Sequence, residues 1–221
     1  MLADLSASHQ NYIKALWNLG EWSSKPVSKS ALAECVGVKL STASDAVRKL
    51  QELHLVHDTR YGAVTLTELG QEMAVAMVRR HRLIETFLVR ALDYNWDQVH
   101  AEAEVLEHAV SDFLTNRIDE KLGFPERDPH GDPIPRRDGT MPTLQAIPLA
   151  QAPVGASVVV ERISDSDPEL LRYFERNGIL LGVTLELKES DPYSGGLSIQ
   201  IAENRLQLGV EVAKLVWVSV K

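Results

Sequence analysis

Proline is unevenly distributed along this 221-residue chain, and its distribution divides the chain into two parts. Seven of the ten prolines lie between Gly123 and Pro153, which predicts a linker of extended character rather than a packed element. Before this stretch apolar residues recur at three- and four-residue steps, and after it they form short runs typical of strands. The chain is therefore predicted to be mainly α with β, with helices first and a small β domain last.

The composition is that of a globular protein without a membrane segment. Hydrophobic residues make up 44% of the chain and charged residues 24%, which excludes wholesale disorder. The longest apolar runs, such as Val158–Val160 and Ile179–Leu181, are far below the roughly 18 residues that cross a bilayer. Met1–Gln10 lacks a secretory pattern, and the single cysteine, Cys35, cannot form an internal disulfide or a thiolate zinc site. A cytoplasmic protein with no membrane partner is expected.

The first part of the chain has the pattern of a winged helix-turn-helix. Helical spacing opens the chain, a second helix follows Ser28 and breaks at Gly37, and Ser41 or Thr42 is predicted to cap a third helix. Two short alternating runs then flank residues 58–62, which predicts a hairpin. Helix, helix, tight glycine turn, helix and hairpin is the element order of a winged DNA-binding module.

The third helix of such a module lies in the major groove of DNA. Its outward positions combine short hydroxyl side chains with cations, namely Lys39, Ser41, Thr42, Ser44, Asp45, Arg48 and Lys49. Arg60, at the hairpin tip, is predicted to reach a phosphate or the minor groove. Asp45 would repel phosphates, so it is expected to accept a hydrogen bond from a cytosine amine or to stay peripheral. A winged helix that binds protein, with this helix solvated, is the alternative.

Two long helices and four β-rich runs follow in the pattern. Thr67 is predicted to cap a helix that ends near Leu92, and another helix covers roughly residues 96–122. A short helix around Leu170–Phe174 is predicted among the β-rich runs, which form a small barrel-like domain. These runs are Val158–Ile163, Ile179–Leu187, Leu197–Ala202 and Leu215–Val220.

The second long helix carries the strongest chemical signal. Residues 91–116 hold six acidic side chains and no Lys or Arg, in a chain of net charge −8. At about 100° per residue, four potential metal ligands share one arc of this helix, and two more share a face of the preceding helix. They are His100, Glu104, Glu107 and His108, and His81 and Glu85. A bound divalent cation would offset the local charge, so the acidity does not argue against DNA binding.

Imidazole and carboxylate groups suit Mn(II), Fe(II), Co(II) or Zn(II). A solvated acidic face with two incidental histidines is the alternative, but such faces usually carry Lys or Arg at i,i+4, and this one has none. The repeated Glu-x-x-His of di-metal bundles, His-Glu-x-x-His, Gly-x-Ser-x-Gly and a phosphate-binding glycine loop are all missing. The chain is therefore predicted not to be an enzyme. A metal-binding enzyme or a storage protein without DNA coupling is the alternative from another class.

Several stretches of the chain resemble the diphtheria toxin repressor and manganese transport regulator family of metal-dependent repressors. The similarity covers nearly the whole chain, and its most specific stretches are the acidic helix and the proline-rich motif. The matching stretches are Asn11–Ile13, Val78–Glu85, Val99–His100 with Leu106–Asp112, and Pro129–Pro135. The resemblance implies a homodimer that binds palindromic double-stranded operator DNA when a corepressor metal is bound. An iron-responsive member of the family is the alternative to a manganese-responsive one.

The resemblance also implies the metal ligands. The family's primary site falls on Asn11, Glu104, Glu107 and His108, its ancillary site falls on His81, Glu85 and His100, and Asp167 matches a ligand position of the third domain. Iron-responsive members carry Cys at the position of Glu104 and Met at that of Asn11, so the site resembles the manganese type. Lys14 stands where short manganese-responsive members have a further Glu. The implied cofactor is Mn(II), with Fe(II), Co(II) or Zn(II) as alternatives in vitro.

Four segments are expected on this basis. Residues 1–74 form the winged helix-turn-helix domain and 75–140 the helical dimerisation and metal-binding domain. Residues 141–153 form the proline-rich linker, and 154–221 form an SH3-like domain of the FeoA type.

Overall fold

The computed structural model describes residues 2–23, 25–59, 63–190 and 195–221. These residues form two compact units, and each is built from separate parts of the chain. The first unit comprises Met1–His81, Glu104–Arg117 and Pro135–Met141, and the second comprises Arg82–Ala103, Ile118–Ile134 and Pro142–Lys221. Among the described residues, no helix is both long and apolar enough to span a membrane.

The first unit contains the predicted winged helix-turn-helix order, which is confirmed. Its elements are α1 (Ala7–Glu21), α2 (Lys29–Val36), α3 (Leu40–Glu52), β1 (Val56–Asp58) and β2 (Val64–Leu66). The Ser28 hydroxyl caps α2 by accepting from Ala31 N–H, and Gly37 ends it in the left-handed region at φ 71. Ile13, Leu32 and Leu50 lie fully buried in one core. Burial of these apolar faces fixes which side of α3 is exposed.

Three further helices follow: α4 (Glu68–Leu92), α5 (Val99–Leu106) and α6 (Asp112–Leu122). Thr67 caps α4 as predicted, because its hydroxyl accepts from Gly70 N–H at 3.0 Å. The prediction of a single helix over residues 96–122 is wrong, because the helical structure is interrupted between α5 and α6. Ser111 explains the break because its hydroxyl accepts from Leu114 N–H, which starts a new helix.

The second unit contains an antiparallel sheet and two short helices. The elements are β3 (Ile147–Pro148), β4 (Ser157–Ile163), α7 (Pro168–Arg176), β5 (Thr184–Lys188), β6 (Gly196–Ile201), β7 (Asn204–Gly209), α8 (Val210–Ala213) and β8 (Val216–Val220). The six strands of the sheet lie in the order β3-β8-β4-β5-β6-β7, and two of them, β3 and β7, were not predicted. Val160, Phe174 and Val218 are buried in the core beneath this sheet.

The prediction that the whole proline-rich stretch is an extended linker is wrong. Asp128, His130 and Asp132 are buried within the second unit. Asp128 Oδ1 accepts from the backbone N–H groups of His130 and Asp132, so a carboxylate replaces regular secondary structure as the partner of these amides. Gly131 approaches Glu161 so closely that a Cβ would lie 2.1 Å from the Glu161 carbonyl oxygen. Proline therefore shapes a packed turn here rather than a spacer.

Candidate DNA-binding face and metal centres

Helix α3 presents the predicted DNA-contacting positions on its outer side. Ser44 is half-buried, and the other described positions are exposed, namely Lys39, Ser41, Thr42, Asp45, Arg48 and Lys49. Ala43, Val47 and Leu50 are fully buried on the opposite side. Arg60 lies outside the described residues.

Two details of α3 refine the prediction. The helix begins at Leu40, so Ser41 and Thr42 lie in its first turn and neither of them caps it. Lys39 occupies the cap position with extended backbone and makes no side-chain cap hydrogen bond. Asp45 accepts from Arg48 at 3.1 Å, with both side chains about two thirds exposed at 66% and 67%. This pairing offsets the negative charge that made Asp45 an awkward neighbour of DNA.

Lys14, His81, Glu104 and Glu107 form what we call the first cluster, which lies in the first unit. The ligand atoms of the histidine and the two glutamates lie within 4.8 Å of one another. His81 Nδ1 contacts Glu107 Oε2 at 2.6 Å, and Lys14 Nζ donates to Glu107 Oε1 at 2.6 Å. Burial by itself would raise the pKa of Glu107, but His81 and Lys14 outweigh it and lower the pKa, so the carboxylate is charged.

His108 lies beside this cluster, in the turn that follows α5 rather than in the predicted helix. Its Nδ1 lies 2.7 Å from Gln10 Oε1, and its Nε2 lies 3.7 Å from Glu107 Oε1. Because an amide oxygen only accepts, Nδ1 is the donor in this contact, and Nε2 is the ring nitrogen nearer to Glu107. Gln10 in turn donates from Nε2 to the backbone carbonyls of Leu2 and Leu5. Gln10 was not predicted, and its only signal in the sequence is its position next to Asn11.

Asn11, which the family resemblance implies as a ligand, lies on α1 three residues before Lys14, so the two share a helix face. Its Oδ1 is shielded from solvent and accepts no hydrogen bond from any described residue. A buried amide oxygen in this state is unusual, and a cation ligand would satisfy it. Together with the carboxylate and imidazole groups nearby, it makes a sulfur-free set that fits a hard or borderline divalent ion.

A second cluster, formed by Glu85, His100 and Asp165, lies in the second unit. His100 Nδ1 lies 2.8 Å from Asp165 Oδ2 and 3.4 Å from Glu85 Oε1. Burial would lower the pKa of His100, but hydrogen bonds with Asp165 and Glu85 raise it to about 11. Asp167, the predicted ligand, instead caps α7 by accepting from Glu169 and Leu170 N–H groups. Asp165, rather than Asp167, thus lies beside His100 and Glu85. His81 lies one helical turn before Glu85 on α4.

A third group is fully buried and consists of Glu85, Asp128 and His130. The ligand atoms of these three side chains lie within 4.8 Å of one another, and Glu85 also belongs to the second cluster. His130 Nε2 contacts the Trp96 carbonyl at 2.8 Å, whereas its buried Nδ1 makes no hydrogen bond to a described residue and lies 3.8 Å from Glu85 Oε2. Burial, Asp132 and Glu85 raise the pKa of Asp128. These carboxylates crowd one buried space, and a divalent cation there would offset their repulsion. The Pro129–Pro135 motif was the available signal for this group.

Known proteins resemble this chain over nearly its whole length. A structure of a manganese-dependent transcriptional repressor in complex with manganese is 51% identical, with 96% of this chain and 100% of that chain covered and a TM-score of 0.91. The crystal structure of ScaR with bound Zn²⁺ is 31% identical, with 96% and 98% covered and a TM-score of 0.84. The iron-dependent repressor IdeR of Mycobacterium leprae is 27% identical over 229 residues, which cover 98% of each chain.

Family models match all three parts of the chain. Residues 4–64 match the N-terminal DNA-binding domain of iron-dependent repressors, and residues 67–136 match the metal-binding and dimerisation domain of the same proteins. Residues 147–220 match the FeoA domain, the SH3-like fold predicted for the C-terminal part.

An exposed recognition helix in a winged domain, together with carboxylate and imidazole clusters beyond it, defines a metal-responsive DNA-binding protein. The matching domains and the similarity to known repressors place the chain more narrowly. The chain belongs to the diphtheria toxin repressor and manganese transport regulator family of metal-dependent transcriptional repressors. The predicted family, fold class and general function are confirmed.

Proposed function

We propose that this protein represses transcription by binding palindromic operator DNA as a homodimer, with Mn(II) as the effector that favours the bound state. The first cluster, with Asn11 and His108, would hold the effector ion. A second ion would be held in the second unit by Glu85, His100 and Asp165, or by Glu85 with Asp128 and His130. The domain division 1–74, 75–140, 141–153 and 154–221 and a location in the cytoplasm are part of the same proposal.

One observation carries this proposal: α1 of the DNA-binding domain contacts the acidic residues at the end of α5. Gln10 reaches His108, and Lys14 reaches Glu104 and Glu107, across 90 to 98 residues of sequence. A divalent ion bound there supplies positive charge that holds these carboxylates together. The residues that hold the ion thus also set the position of α1, which packs in the same core as the recognition helix α3. In a dimer this fixes the spacing of the two recognition helices, which must be about 34 Å to enter successive turns of one DNA face.

Operator titrations at one salt concentration test the proposal. We expect metal-free protein to bind weakly, and Mn(II), Fe(II) and Zn(II) to strengthen binding to different extents. Metal and DNA would then stabilise the same state, with a coupling of about 1–3 kcal/mol. A storage protein would take up metal with no change in DNA affinity. The family consists of transcriptional repressors, and we propose no catalytic role.

Lys49 on α3 should contact a DNA phosphate. Lys49→Ala is expected to weaken binding to every DNA sequence and to reduce the slope of log affinity against log salt by about one unit, because one fewer counterion is released. Affinity measured at four salt concentrations checks this. Lys214→Ala, which removes an exposed lysine of the C-terminal domain, is the control and should keep the original slope. An unaltered slope in Lys49→Ala would remove Lys49 from the phosphate contacts.

Glu104 should favour Mn(II) over Fe(II). A carboxylate oxygen suits Mn(II), a hard ion that stands lowest in the Irving–Williams order of affinities. A sulfur ligand at this position favours the later and softer metals. Glu104→Cys is therefore expected to lower activation by Mn(II) relative to Fe(II), and Asn11→Met in the same chain should increase the change. Anaerobic activation curves for both ions on one operator fragment measure the ratio. A ratio that stays the same in the double variant contradicts the manganese assignment.

A further inference from the structure

The first cluster already contains a cation that belongs to the chain. The Lys14 side chain is only 6% exposed, and its Nζ lies 2.6 Å from both Glu104 Oε1 and Glu107 Oε1. The same nitrogen lies 3.4 Å from His81 Nδ1. The ammonium therefore lies against the three side chains whose ligand atoms are close enough together to coordinate one ion.

A buried lysine in this position is costly unless it is paired, because desolvation of an ammonium must be offset by nearby negative charge. Two short, charge-assisted hydrogen bonds to carboxylates provide that compensation. The ammonium supplies one positive charge between the two glutamates, whereas a divalent ion in its place would supply two. A divalent ion would balance both carboxylates, and it would repel an ammonium that stayed within about 4 Å of it.

We propose that Lys14 is a built-in competitor for the effector ion, so that the ammonium and the divalent metal exclude each other between Glu104 and Glu107. This inference takes from the proposed function only that the first cluster binds metal. The competition lowers the apparent metal affinity and raises the concentration at which the protein responds.

Removal of the ammonium should therefore strengthen metal binding. Lys14→Met keeps the length of the side chain without its charge, and we expect it to bind Mn(II) at least about tenfold more tightly than the original chain. Lys14→Gln removes the charge but keeps a hydrogen-bond donor, so a smaller gain is expected. Electron paramagnetic resonance of free Mn(II), titrated at fixed pH and salt into the full-length protein, measures both affinity and stoichiometry.

Two controls locate the effect. Lys29→Met removes a half-buried lysine, which pairs with Asp58 at 2.7 Å in the same unit, and it should leave Mn(II) affinity unchanged. In a Glu107→Gln background, Lys14→Met should lose most of its gain, because the site of competition is already damaged. A gain that persists there would overturn the proposal, since it would place the competition elsewhere.

Unchanged or weaker Mn(II) binding in both Lys14 variants would show that Lys14 is only a structural ion pair. If the variants fold only when Mn(II) is added, as followed by circular dichroism, the metal replaces the ammonium and the proposal is supported. If they stay unfolded at saturating Mn(II), the metal cannot replace it and the proposal fails. Failure of the proposed repressor function gives a different result. In that case Mn(II) does not change operator affinity, although the Lys14 variants still bind Mn(II) more tightly.

Discussion

Replacement of Glu107 by glutamine should eliminate metal-dependent operator binding. Glu107 is fully buried and contacts both Lys14 and His81, and its backbone carbonyl accepts from Arg80 at 2.9 Å. Glutamine keeps the shape and the backbone contact but removes the charge that a divalent ion needs. The loss should equal the whole coupling between metal and DNA, which in such systems is about 5–150-fold in affinity. Operator titrations with and without Mn(II) measure it directly.

Glu102→Gln is the matched control because it removes the same charge five residues earlier, within α5, whereas Glu107 lies in the turn that follows α5. Glu102 falls on the side of α5 opposite the arc of Glu104, and it belongs to none of the metal-type clusters among the described residues. The control should respond to Mn(II) like the original chain. If Glu107→Gln also kept its full response, the first cluster would not be the effector site, and the second unit would become the place to search.

The winged domain was predictable because its signals are local. Caps such as Ser28 and Thr67, the left-handed Gly37 and the three- and four-residue apolar spacing each act within one helix or turn. The break between α5 and α6 has a local signal too, in the Ser111 hydroxyl, but the helical pattern continues on both sides of it and hides it. Strand β7 was missed because its polar residues, such as Asn204 and Arg205, do not look like a buried strand.

The metal clusters were only partly predictable. Helical spacing predicted that Glu104 and Glu107 are neighbours, because residues three apart lie on the same side of a helix, and the structure brings them together. The contacts of Lys14 with these two glutamates and of Gln10 with His108 depend on tertiary packing, which spacing within one helix cannot reveal. Asp165 was not predicted for the same reason. Asp165 and Asp167 look alike in the sequence, and only the folded structure shows that Asp167 caps α7 while Asp165 contacts His100.

Asp132→Asn should strongly destabilise the second unit. The Asp132 carboxylate is 5% exposed and accepts from Arg162 Nε at 2.7 Å and from Arg82 Nη2 at 3.3 Å. Both guanidinium groups are buried as well, and Arg162 also lies 4.1 Å from the centre of the Trp217 ring. Asparagine would leave two buried cations facing a neutral amide, and loss of one partner from a buried ion pair costs about 3–5 kcal/mol.

Urea denaturation followed by tryptophan fluorescence measures this loss as a lower midpoint at unchanged slope. Glu186→Gln is the control, because its pairing with Lys188 is exposed on strand β5 and solvent screens it, so the midpoint should hardly move. Equal midpoints in the two variants would mean that Arg82 and Arg162 find other compensation. Asp128, whose carboxylate lies 3.9 Å from Arg82 Nε, is the group that could provide it. The double variant Asp128→Asn with Asp132→Asn then decides the question, since it removes both acids beside Arg82 and should unfold at lower urea than either single variant.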